Sequence, residues 1–187
     1  MFPLLLIMSC SGPGAPRLRS VDRQMQVRPR FVLEAYTSPD RNTAHVYLTD
    51  IGRHRFLQGT DWHDLTGNII HVHLFVSPHP GRTPIENSAC TVTVRHLILT
   101  GGEAGVYSGG GFMLPDTTPG GSYFSGDLSN ASMRLTRSTA SFVDRLGAAR
   151  FDGTIGATRD DATARLIGSK LESILAELSE AAQPPAN

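Results

Sequence analysis

Residues 68–77 carry the strongest strand pattern in the chain. Ile70, Val72, Leu74 and Val76 fall on one face, and His71, His73 and Phe75 on the other. Successive side chains of an extended backbone point to opposite sides, so a period of two marks a strand with one face buried. One strand cannot bury that face alone, and the rest of the chain must therefore supply a sheet. Residues 30–36 (RFVLEAY) read as a first strand, closed by the turn chemistry of Ser38-Pro39-Asp40-Arg41-Asn42. Residues 44–49 alternate again. Over residues 90–99, Val92 and Val94 oppose Thr91, Thr93 and Arg95 until His96-Leu97-Ile98-Leu99, where both faces become apolar; that break predicts a bulge or burial on two sides. Further strand-like runs surround Gly109-Gly110-Gly111 and cover residues 122–125, 131–137, 139–143 and 149–157.

The C-terminal segment has a different period. Ala164, Ile167, Leu171, Ile174, Leu175 and Leu178 recur at helical spacing, which predicts an amphipathic helix over about 159–181. Thr158-Arg159-Asp160-Asp161 reads as its capping box, with Thr158 as the cap. Many short strands followed by one helix predict a mainly β domain: an antiparallel β-sandwich or partly open barrel of about eight strands, with the C-terminal helix laid on an outer face that carries Tyr47 and Phe75.

The 187 residues suit one domain. Formal net charge is zero and the pI is about 7.1, which gives the folded part no bulk electrostatic reason to bind nucleic acid. Nineteen glycines and twelve prolines favour turns over long helices.

Met1-Phe2-Pro3-Leu4-Leu5-Leu6-Ile7-Met8-Ser9-Cys10 is a short apolar run ending on a small residue and a cysteine. With Ile7-Met8-Ser9-Cys10 in the place of a lipobox, it resembles the signal peptide of a bacterial lipoprotein precursor. The resemblance implies removal of residues 1–9, lipidation of Cys10, and a chain anchored to a membrane of the cell envelope at the periplasmic face. Ser11, where Asp would direct retention, implies the outer membrane. If the apolar start is not a leader, the protein stays in the cytoplasm and a Cys10–Cys90 bridge becomes conceivable. No run approaches the roughly 20 apolar residues that a membrane-spanning helix needs. Residues 10–30 then read as the anchor and a Pro/Gly/Arg tether, residues 31–182 as the single folded domain, and residues 183–187 as a tail.

Among chemistry-bearing residues, His71 and His73 lead. Two positions apart on a strand, they point the same way about 7 Å apart, and paired imidazoles suit Zn, Cu, Fe or Ni. His45 and Tyr47 occupy the equivalent face of their own strand. His45, His71 and His73 are the candidate ligands of a divalent transition metal, and His45, Tyr47, Trp62 and Phe75 the candidate ligand-binding side chains; Tyr107 and Tyr123 are further aromatic candidates. No H-E-x-x-H, G-x-S-x-G or phosphate-loop sequence occurs. The sequence therefore predicts an envelope lipoprotein with a binding or scaffolding β domain that is not an enzyme and needs no cofactor. Its partner would be the membrane, through the lipid. The alternative is a metal-binding protein or metal-dependent enzyme built on the His71-x-His73 face.

Overall fold

A computed structural model of the chain describes residues 14–58, 61–76 and 90–181. Residues 1–9, read above as a leader, Cys10, the prolines at 78, 80 and 84, and residues 183–187 lie outside the described residues. Among the described residues nine strands form one sheet: β1 (Arg17–Ser20), β2 (Gln26–Val27), β3 (Leu33–Thr37), β4 (Ala44–Thr49), β5 (Thr66–Leu74), β6 (Val92–Thr100), β7 (Ala104–Pro115), β8 (Tyr123–Ser138) and β9 (Ala149–Arg159). Their order is β2-β1-β9-β3-β4-β5-β6-β7-β8, and β8 also pairs with β9. Strands β3 to β9 therefore close into a barrel, and the β1–β2 hairpin extends from β9. All pairings are antiparallel except β3–β9, which is parallel and joins only Ala35 to Thr158 and Tyr36 to Arg159. That two-residue seam makes the barrel a partly open one.

Alternation decides which side chains fill the barrel. Val46, Leu48, Ile70, Val72, Leu74, Val92 and Val94 belong to an interior cluster with Tyr36, Phe124 and Phe151. The opposite parity of the same strands points outward. A short helix, α1 (Arg53–Leu57), follows β4. Ile69, Leu97, Leu99 and Val106 form a second cluster outside the wall, covered by Ile167, Leu171, Ile174, Leu175 and Leu178 of α2 (Asp161–Ala181). Burial of these five helix side chains contributes on the order of 10 kcal/mol. Residues 96–99 carry two-sided burial without a bulge: β6 keeps one register with both neighbours, His96 and Ile98 facing in, Leu97 and Leu99 facing the helix.

Three expectations change. Residues 17–27, read as tether, form β1 and β2; Leu18 is fully buried opposite Phe151, because β9 offers it both a ladder and an apolar wall. Residues 139–143 make no strand but a turn on the end of the barrel, and the runs at 122–125 and 131–137 are one long β8. The cap of α2 is Asp160. Its Oδ1 accepts from the backbone N–H groups of Ala162 and Thr163 at 3.1 and 2.9 Å, while Thr158 is still in β9. The glycines of β7 serve packing. A Cβ on Gly109 would lie 1.7 Å from the Ser132 carbonyl oxygen, so only glycine lets β7 and β8 approach there, between their two register shifts.

Candidate functional site

The outer wall brings the histidines together. His45 lies opposite His73, and Tyr47 opposite His71, in the β4–β5 ladder. The rings stack: Tyr47 on His71 at 4.5 Å, His45 on His73 at 4.1 Å and on His71 at 5.4 Å, all within 8° of parallel. His45 Nδ1 and His71 Nε2 share a hydrogen bond of 3.1 Å. Phe75 meets His73 edge-on beyond the end of the stack. Arg95, opposite His71 on β6, is paired with Glu172 of α2 at 2.7 Å. Burial, with Arg95 and the neighbouring rings, pushes the His71 imidazole down to about 3; burial, His73 and Arg95 lower His45, and burial and Arg95 lower His73. These are stacked imidazoles in which one ring nitrogen bonds to another, beside Tyr47, which meets Gly168 of α2. Among the described residues, no group of three or more His, Cys, Asp or Glu side chains is placed to hold a metal ion. Trp62 lies apart from this ladder, in a one-turn helix (Trp62–Asp64) beneath α2. It is 5 % exposed and its Nε1–H donates to Glu177 at 2.5 Å.

The interior carries a second constellation, which the sequence reading passed over. Asp50 follows β4, and its carboxylate accepts from the backbone N–H of Asn68 at 2.5 Å and from its side-chain Nδ2 at 2.7 Å. A carboxylate only accepts, so the amide end facing Asp50 is the NH2 and the oxygen is turned away. That oxygen lies 2.9 Å from His96 Nε2. Room for Asp50 comes from Gly67, whose φ is +144° and whose Cβ would stand 2.5 Å from Asp50 Oδ1. His96 is fully buried, edge-on to Phe151, and burial pushes its imidazole down to about 3. A histidine at an inward-facing position, two residues after Val94, was the one sequence signal for this relay.

One step nearer the end of the barrel, the wall opens into a cavity of about 540 Å³. Ile98 and Tyr107 form its inner side. Met25 and Val27 of the β1–β2 hairpin, with Phe142, Val143 and Leu146 of the turn after β8, form its rim; Thr100, Glu103 and Arg145 stand at the edge. Tyr107 donates to Asp144 Oδ1 at 2.5 Å. Burial and this bond raise the phenol above its ordinary value. Burial alone would raise Asp144, but hydrogen bonds from Tyr107 and from the N–H groups of Gly147 and Leu146 outweigh it and hold the carboxyl below its usual range. That knot ties the turn 139–147 across the barrel end and so shapes the rim. The rim keeps apolar surface in solvent, with Val143 65 % exposed and Met25 42 % exposed.

Of the residues the sequence singled out, the structure thus joins His45, Tyr47, His71, His73 and Phe75 on the outer wall. Tyr107 belongs to the cavity, and Tyr123 lies exposed on β8 near Gly156. No helix among the described residues is long and apolar enough to cross a membrane. Comparison of the chain with protein-family models, with curated proteins and with solved structures finds no match.

Proposed function

We propose that this protein is a non-catalytic binding barrel of the cell envelope, held there through Cys10, and that it takes small apolar molecules at the barrel mouth. The cavity carries the binding part of the reading. Its size falls within the 300–1,000 Å³ of ordinary small-molecule sites, its lining is mostly aliphatic and aromatic, and exposed apolar side chains surround it where a soluble surface would favour polar ones. Its lining offers burial and shape. The lipobox-like Ile7-Met8-Ser9-Cys10 supports the envelope part.

Diphenylhexatriene, which is apolar and has no hydrogen-bonding group, tests the mouth. Its fluorescence is expected to rise on titration with the protein and to fall back in Val143→Arg, which puts a charge on the rim without touching the barrel core. Absence of saturable binding removes the proposal. Incorporation of labelled palmitate, abolished by Cys10→Ala, is expected for the anchor; an unlabelled wild-type chain that keeps Met1 refutes it.

A further inference from the structure

We infer a second binding site on the outer wall: the cleft between α2 and strands β3 and β4 takes small organic oxyanions, carboxylates or phosphate monoesters. It shares no lining residue with the barrel mouth. The cleft holds about 560 Å³, within the range of small-molecule sites, and has room for an organic body beside a charged group. Unlike the mouth, it is walled by groups that donate hydrogen bonds. Thr37 ends β3, Tyr47 stands on β4, and Arg165 and Ser169 lie about one turn apart on α2. Charge accounting selects the sign of the ligand. Two acids line the cleft, and each already has a cation: Arg159 lies 3.7 Å from Asp161, and Arg95 holds Glu172 at 2.7 Å. Arg165 has no ion pair or hydrogen bond among the described residues. Its guanidinium can only donate and stays charged at any ordinary pH. With the two pairs closed, the charge left over is positive.

The Tyr47 hydroxyl supplies a second donor. It has no hydrogen-bond partner among the described residues. The stack on His71 fixes the ring, and its hydroxyl end is the part that lies beside Gly168, which lines the cleft with it. A Cβ at residue 168 would stand 3.1 Å from the hydroxyl oxygen. Glycine within a helix costs about 1 kcal/mol relative to alanine, and here it leaves the hydroxyl uncovered by any side chain of its own position. Burial, then the Glu172 carboxylate, raises the phenol above its ordinary value against the pull of Arg95, so it keeps the proton it would donate. A guanidinium and a phenol, both without partners and both on one cleft, match an oxygen anion that accepts from several directions. A cation would meet only acids that are already paired.

Benzoate, phenyl phosphate, benzyl alcohol and benzylammonium make the test. They share one ring and carry a carboxylate, a phosphate, a neutral hydroxyl or a cation. At constant ionic strength, titration of the wild-type chain with either anion is expected to shift the Arg165 Nε–Hε and Ser169 backbone N–H resonances to saturation. The alcohol and the ammonium leave them in place. Whichever anion binds more tightly assigns the head group. Arg165→Gln, at an exposed position of α2, and Tyr47→Phe, which keeps the ring stack, are each expected to weaken the anion about fivefold; the wild-type spectra do not depend on either variant folding. Equal shifts from all four compounds, tighter binding of the ammonium, no saturable binding of either anion, or unchanged affinity in both variants overturns the inference. The mouth is read separately by diphenylhexatriene, so either site can fail without the other.

Discussion

Lowering the pH from 7 to 5 is expected to remove about 4 kcal/mol from the stability of this barrel, from two histidines alone. Burial holds His96 near 3 and His71, with Arg95 beside it, also near 3, against an ordinary value of 6.5. The unfolded chain therefore takes up protons that the folded chain refuses. Stability is complete above pH 6.5 and is lost as the pH falls toward 3, with the unfolded state the more protonated throughout that window. Each group contributes about 2 kcal/mol between pH 7 and pH 5, so the pair removes a large part of the roughly 5–15 kcal/mol of a typical domain. The lowered carboxyls, Asp40, Asp61, Asp144 and Asp160, act in the same sense but below about pH 4, and the raised Glu34 acts oppositely near 4.5. The window from 5 to 7 thus belongs to the histidines. Urea unfolding followed by the fluorescence of Trp62 measures it, as the slope of stability against pH. His96→Leu and His71→Gln are each expected to reduce that slope by about one proton's worth, whatever they do to stability at pH 7. A flat profile in the wild type, or an unchanged slope in both variants, refutes the account of two neutral buried imidazoles.

Two substitutions probe the frame. Gly109→Ala puts a methyl group 1.7 Å from the Ser132 carbonyl and is expected to cost about 3 kcal/mol or more, or to prevent folding, whereas Gly52→Ala, with nothing within 4 Å, changes the urea midpoint little. Asp160→Ala is expected to lose about 1 kcal/mol of helix capping, and Thr158→Ala less than about 0.5 kcal/mol; the opposite order would return the cap to Thr158.

Much of the fold is legible along the chain because periodicity is local. The alternation within residues 68–77 gives β5 and its two faces, although the strand runs Thr66–Leu74 and leaves Val76 exposed, and residues 44–49 give β4 at its observed bounds. The 3.6-residue repeat of Ile167, Leu171, Ile174 and Leu178 gives α2 and its buried stripe. Errors gather where a neighbour overrides composition. An Arg- and Pro-rich stretch resembles a tether until β9 pairs with it. A Thr two residues before a cap loses that role once its own strand continues. The outer histidine ladder was foreseeable because His45 and Tyr47 repeat the parity of His71 and His73. The Asp50–Asn68–His96 relay was not, because its members come from three segments and only one of them, His96, lies at a position whose parity is unusual for its chemistry.

The sequence by itself determined the class of structure: which residues extend, which face of each strand is apolar, and that one helix must cover part of the outside. Side-chain period is a property of the backbone and needs no partner. Only the tertiary structure decided that the sheet closes through β8 and β9, that the closure leaves a cavity lined by Ile98 and Tyr107, and that His96 sits inside, bonded through Nε2 to Asn68. Ring closure and the hydrogen-bond partner of a buried atom depend on residues far apart in the chain meeting in space, and no local pattern records which ones will.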